Sequence, residues 1–433
     1  MRYNFTTRFI KRLANLQLAI TLLFTIGFTI AIGTIIEQDQ NLAFYKENYP
    51  TDKPLFGFLT WKIILFLSLD HLYTAWWFLL ILFLFAGSLI ACTFTTQLPS
   101  IKTFKLWKFY TQPKQFKNLI VNSKVQPEVS NAFVYNCNSK NYHFFRQRKK
   151  GYAYSGLLGR IGPIVVHASI VILLLGSTLG SFGGYAAQEI IPRGEISHIQ
   201  NVTKFGDLSY LPQNISCRIN DFWITYTKEL KTEQFYSDLS ILDPNGKELT
   251  RKTIFVNEPL VYNDIVLYQT DWDIIGLKLR LPDEKFFQIP LKKITKSGRK
   301  FWLGSLTLGQ NSEEKITILV NDLKGQLVLY DSKGVFLNEI SIGDSIKFTN
   351  GIKIQALDYI TSTGLQIKSD PGISTVYFSF FLLMVSIYIS FFTYSQIWLI
   401  EDRSLVTVGG KSNRSVLFFQ EEFRKILKRT SVI

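Results

Sequence analysis

The chain has 433 residues, 47% of them hydrophobic and 15% aromatic, with a formal net charge of +15. Its three cysteines, Cys92, Cys137 and Cys217, lie far apart and form no C-x-x-C, which excludes a cysteine-built zinc site and a dithiol redox motif. The positive balance fits either a nucleic-acid surface or loops held on the cytoplasmic face of a membrane, and the positions of the charges decide between them.

A bilayer core of roughly 30 Å requires about 20 consecutive apolar residues as a helix. In chain order, the segments that meet this are Leu16 to Ile36, Thr74 to Phe94, Pro163 to Phe182 and Val376 to Ile400. The first is followed by further spans and by no small-residue cleavage site, so it reads as an anchor and not a signal peptide. Arg2, Arg8, Lys11 and Arg12 precede it without an acid, whereas Glu37, Asp39, Glu47, Asp52 and Asp70 follow it, so residues 1–15 stay inside and 37–73 form an outer loop. Within that loop, Phe56 to Leu69 is too short to span and is interrupted by Lys62, which places it along the interface beside Tyr73, Trp76 and Trp77. Residues 95–162 carry a long series of lysines and arginines against the single acid Glu128 and are therefore inside. The tail 401–433, with Arg414, Arg424, Lys425, Lys428 and Arg429, is inside as well, and residues 183–375 are outside. These loops account for much of the positive charge without nucleic acid. Gly176 and Gly180, a G-x-x-x-G on the third span, and Gly87 and Ala91 on the second mark faces where helix backbones approach closely.

Residues 183–375 are long enough to bury a core of their own. Strand-like runs at Ile215 to Ile219, Asp221 to Thr227, Gln234 to Leu242, Thr253 to Val256, Ile265 to Thr270, Ile274 to Leu281, Lys315 to Val320, Gln326 to Tyr330 and Ile352 to Leu357 alternate with turn signals. Those signals are Asp243-Pro-Asn-Gly246, Asn263-Asp264, Ser297-Gly298, Lys324-Gly325, Ser332-Lys-Gly334 and Asn350-Gly351, and the pattern predicts a mostly-β domain. Cys217 is its one thiol, so it holds no internal disulfide. It contains no nucleophile elbow, phosphate-cradling glycine loop or histidine-rich cluster, which favours a binding surface over an active site.

The chain has four histidines, His71, His143, His167 and His198. His167 falls inside the third span among Val165, Val166, Ile170 and Val171, where an ionisable side chain is costly and faces a cofactor, a cavity or another helix. Two readings stand: a neutral imidazole hydrogen-bonded to a neighbouring helix, or an axial ligand to haem iron. His71, after Asp70 at the outer interface, is a second candidate for ligand contact. His143 in a basic loop and His198 at the polar start of the outer domain read as solvated.

Several stretches together resemble the ResB-type cytochrome c biogenesis proteins of system II, in their plastid and cyanobacterial form. They are Leu13-Ala-Asn-Leu-Gln-Leu18, Gly33-Thr-Ile-Ile-Glu-Gln38, Leu69-Asp-His-Leu-Tyr-Thr-Ala-Trp-Trp-Phe78, Gly159-Arg-Ile-Gly-Pro-Ile-Val-Val-His167 with Leu175-Gly-Ser177, Pro259-Leu-Val-Tyr262 and Leu267-Tyr-Gln-Thr-Asp-Trp272. The resemblance covers nearly the whole chain. It implies a subunit that, with a CcsA-type haem-handling membrane partner, delivers haem across the bilayer and assists its attachment to apocytochrome c. It implies haem b in transit, shared with that partner, and carries the role of axial ligand onto His167. The tryptophan-rich haem-handling segment of the partner is missing from this chain. The resemblance assigns the role of an assembly factor and leaves a catalytic activity of its own open. Together with the abundance of Lys, Ile, Asn and Phe and the want of an Arg/Ser-rich transit segment, it implies a chloroplast thylakoid membrane with the large domain in the lumen; a cyanobacterial thylakoid or plasma membrane is the alternative. The competing functional class is a membrane-anchored sensor or adaptor whose β domain binds an external ligand, and a transporter has little polar pathway to work with.

Overall fold

The computed structural model describes residues 5–99, 101, 107–229, 231–281, 285–296, 299–307, 315–347, 353–402 and 405–431. The chain divides into two compact units, residues 1–178 with 372–433, and residues 179–371.

Four helices of the first unit and its boundary are long and apolar enough to cross a membrane: Leu16–Ile35, Trp76–Gln97, Gly162–Gly183 and Ile373–Ser390. Asn15 caps the first by accepting from the Gln17 N–H. Thr21, Thr25 and Thr29 return their hydroxyl protons to carbonyls one turn back, which satisfies polar groups that lipid cannot. Phe24, Phe28, Phe83, Leu175, Met384 and Tyr388 are exposed, as side chains facing lipid must be.

The close approach expected of the third span is realised against the fourth. Gly162, Ser169 and Gly176 are buried on the third helix, and Ser379 and Ser386 on the fourth, each set spaced by seven. A Cβ on Gly176 would lie 3.1 Å from Thr375, so small residues set this seam. The buried serines donate to their own helix, Ser169 to Val166, Ser379 to Val376 and Ser386 to Leu383, and so behave as small residues. On another face the third helix packs Ile170, Val171 and Leu174 against the cluster built by the first two helices, which includes Ile26, Ile64, Phe78 and Phe85.

The fourth span is shorter than its hydropathy indicates. Its helix ends at Ser390, and Ser395–Glu401, inside the expected membrane segment 376–400, is a β-strand. This strand lies between Val406–Ser412 and Lys150–Ser155 in a five-stranded sheet whose outer members are Val121–Val125 and His143–Gln147. Its apolar run has a different cause from lipid. Ile397 and Leu399 pack with Phe133, Phe419 and Phe423 from the helices Ser130–Asn138 and Val416–Ser431, while Trp398 and Ile400 pack with Phe116 and Tyr152 on the opposite face. A strand covered on both faces has no polar side to show. The segments expected as a basic loop, 95–162, and a tail, 401–433, thus contribute to one folded sheet with helices.

Beyond the end of the third helix at Gly183, the described strands of residues 179–371 all pair antiparallel. Two long strands, Ile265–Arg280 and Lys353–Ser369, pair along their length at the centre of a seven-stranded sheet. One end of the pair builds a core with Trp302, Ile318 and Leu329 of a five-stranded meander, and the other builds a second core with Ile219, Leu239 and Ile254 of a four-stranded sheet. The runs Ile265 to Thr270 and Ile274 to Leu281 are therefore one strand, as are Ile215 to Ile219 and Asp221 to Thr227. Bulges at Gln269/Asp271, Ile274/Gly276 and Ile219/Asp221 shift the alternation that separates them in the sequence. At the first bulge Gln269 Oε1 accepts from Ser237 and from Thr363, a buried polar cluster with every member paired. The turn glycines Gly246, Gly325 and Gly334 have positive φ as their motifs require. The turn signals at Ser297-Gly298 and Asn350-Gly351 lie outside the described residues.

Candidate functional site

The second membrane helix does not end as an α-helix. Its last turn, Thr93–Gln97, is π-helical, closed by the Leu98 N–H on the Thr93 carbonyl five residues back. Such turns are rare and concentrate at functional sites. This one faces His167. Thr93 Oγ1 lies 3.0 Å from His167 Nδ1, and Gln97 Nε2 lies 3.3 Å from His167 Nε2.

The hydrogen-bond pattern orders the ring. Thr93 donates its one hydroxyl proton to the Leu89 carbonyl at 2.8 Å, so toward the imidazole its oxygen accepts. That assigns the ring proton to Nδ1 and the lone pair to Nε2. The imidazole is half-buried and hydrogen-bonded to a neighbouring helix. A neutral ring with one nitrogen anchored and the other carrying a lone pair is also the form that ligates a metal. The arrangement is compatible with both readings of this residue.

The site offers one strong ligand. Among the described residues no group of three or more His, Cys, Asp or Glu comes together. A six-coordinate haem, were it held at His167, would need its second axial ligand from another chain or another group.

The remaining histidines stand apart from it. His71 occupies a kink, with φ −138° and ψ 47°, in the short helix Leu69–Thr74, and its Nδ1 lies 3.0 Å from Asp70 Oδ2. That end of the unit is organised by the first helix. Gln38 donates to the carbonyls of Gly33, Ile36 and Leu69 and accepts from the Leu72 N–H, tying the end of the first helix to the turn before the second. Glu37 accepts from the Tyr49 hydroxyl at 2.6 Å, a bond that holds its carboxyl below the usual range and helps burial push Tyr49 up to about 12. The shorter apolar stretch at 56–69 holds a helix, Trp61–Phe66, and together with the ends of the first two helices it lines an apolar cavity of about 390 Å³. His143 is exposed on an edge strand over Tyr154. His198 lines a cavity of about 20 Å³ beside Cys217, too small for a ligand. Burial pushes the Cys217 thiol up to about 12 and makes it unreactive.

Sequence reasoning missed Thr93 and Gln97. The available signal was two polar residues four apart at the end of an apolar run, which a helix places on one face.

The chain matches the model of the ResB-like family over residues 16–296 and 310–424. It is 55% identical over 424 residues to a cytochrome c biogenesis protein Ccs1 of Emiliania huxleyi, covering 98% of this chain and 96% of that one. It is 43% identical to the Ccs1 protein of Rhodomonas salina, covering 97% and 96%. It is also 43% identical to the cytochrome c biogenesis protein CcsB of Trichormus variabilis, covering 98% and 92%.

Proposed function

This chain belongs to the ResB-like family, and from that membership we propose that it is a membrane subunit of the system II machinery that matures c-type cytochromes. In this reading it works with a CcsA-type partner. Haem is its cargo: His167 binds the iron near the inner face, the partner supplies the other axial ligand, and the route ends at apocytochrome c on the outer face. Attachment itself adds each cysteine S–H across a haem vinyl C=C. The sulfur bonds to one vinyl carbon, the hydrogen goes to the other, and no electrons are gained or lost, so the protein's task is to position the groups. Residues 179–371 lie on the side where the apocytochrome matures. The compartment is the thylakoid lumen of a chloroplast or its cyanobacterial counterpart.

The observation that carries the reading is His167. It is an imidazole inside a membrane helix, held at Nδ1 by Thr93 and contacted at Nε2 by the Gln97 amide at 3.3 Å. Surface histidines need no such support. Replacing it tests the reading: His167→Gly should abolish covalent c-type haem, measured by peroxidase staining of membranes, while immunoblots show the chain still accumulates. Normal staining in that strain removes His167 from the haem route.

A further inference from the structure

We propose that the π-helical turn Thr93–Gln97 is the device that presents His167 to haem, with Thr93 positioning the ring and Gln97 capping the ligating nitrogen until iron displaces it. The inference rests on the reading of His167 as a haem ligand and assigns roles to two residues on a different helix.

Three features of the turn support it. Thr93 is engaged on both sides, donating to Leu89 and accepting from Nδ1, which fixes both the tautomer and the rotation of the ring. Outer groups of this kind orient ligating histidines, and their loss costs roughly 10–100-fold in metal affinity. Gln97 is the reverse, a poorly satisfied side chain. Its Nε2 reaches His167 Nε2 at 3.3 Å, and its Oε1 is buried without a hydrogen-bond partner. A buried amide with an empty acceptor is held less firmly than a fully paired one. The backbone supplies the third feature. An i to i+5 closure admits one residue more than an α-turn, and here the first and last polar side chains of the turn, Thr93 and Gln97, meet the same ring.

On the haem reading the occupant is an iron porphyrin with an open axial position, whose iron competes with the Gln97 N–H for the Nε2 lone pair. An exchangeable cap serves a transit site. It keeps the nitrogen solvated in the empty state and gives haem a ligand that can be recovered when the haem moves on.

The test uses the full chain purified with its partner. Haem binding is measured by titration, and ligation by the Soret and visible bands together with the resonance Raman iron–histidine mode. Thr93→Val, which keeps the shape and removes the acceptor, should weaken haem binding about 10–100-fold, and Thr93→Ser should restore it. Gln97→Leu, which removes the competing cap, should tighten binding several-fold with unchanged bands. A gain of this kind cannot arise from misfolding. Wild-type affinity and bands in Thr93→Val overturn the positioning role. Weakened or unchanged binding in Gln97→Leu overturns the cap. His167→Gly separates the two levels: loss of the bands with recovery by added imidazole upholds the ligand, whereas unchanged bands sink the ligand reading and this inference with it.

Discussion

Where the third and fourth membrane helices meet the sheet that follows them, backbone touches backbone. Gly156, Gly159 and Gly162 lie so close to Thr393, Phe392 and Ser390 that a Cβ on any of them would overlap those atoms. At the far end of the first helix the closure is polar, with one glutamine, Gln38, holding three carbonyls and an N–H. Each end carries a histidine, and the histidines follow their surroundings. His167 is half-buried with uncharged partners, while His71 is exposed beside a carboxylate. The contrast teaches that the seam fixes position by steric contact, with Arg160 over the Tyr394 ring and Arg414 donating to the Ser390 carbonyl beside it. A polar clasp tolerates water and charge, which suits an interface.

Breaking the seam should have the largest effect. Gly159→Ala forces a methyl group onto the Phe392 carbonyl, and since the obstacle is backbone the strain should reach about 3 kcal/mol. The expected outcome is a chain that fails to accumulate, read by immunoblot. Gln38→Leu removes the clasp and leaves several backbone groups unpaired, for an expected loss of about 2–3 kcal/mol. A lower melting temperature of the detergent-solubilised protein, with c-type haem staining of membranes unaltered, would show that the two ends are independent. His71→Ala comes next. Its pair with Asp70 is exposed and should be worth under about 1 kcal/mol, and c-type haem staining should persist; loss of staining would give His71 a part in the haem route.

The smallest effect is a pH dependence at the clasp. The Tyr49 hydroxyl holds the Glu37 carboxyl below its ordinary value of 4.5. A carboxyl whose pKa is lower folded than unfolded stabilises the fold above the unfolded value, and that contribution is lost as pH falls through the folded one. Glu37 is exposed, so Tyr49→Phe should change the melting temperature by no more than about 2 °C at pH 7. It should also flatten the acid limb below the unfolded value. An unchanged acid limb would show that the bond does not bear on stability.

Much of the fold was legible because its signals are local. Apolar runs of membrane length marked the four helices, and turn residues such as Asp243-Pro-Asn-Gly246 marked the β unit. The sheet beside the membrane was not legible, for a physical reason. Its central strand, Ser395–Glu401, pairs with Lys150–Ser155, far away in the chain, and because it is buried on both faces it has the hydropathy of a span. His167 was legible because an ionisable residue stands out in an apolar run. Thr93 and Gln97 were not singled out, because their role depends on which helix lies beside His167 and on a π turn that no residue preference announces.

The pairing of Ser395–Glu401 with Lys150–Ser155 also makes the chain count its own crossings. Residues 143–155 precede the third helix and residues 395–412 follow the fourth, so the sheet can close only if an even number of passages separates them. A nascent chain that skipped the third or the fourth helix would deliver its central strand to the wrong side of the bilayer. The remaining strands would then stay unpaired and open to proteolysis. Closure of the sheet thereby checks the insertion of the third and fourth helices together.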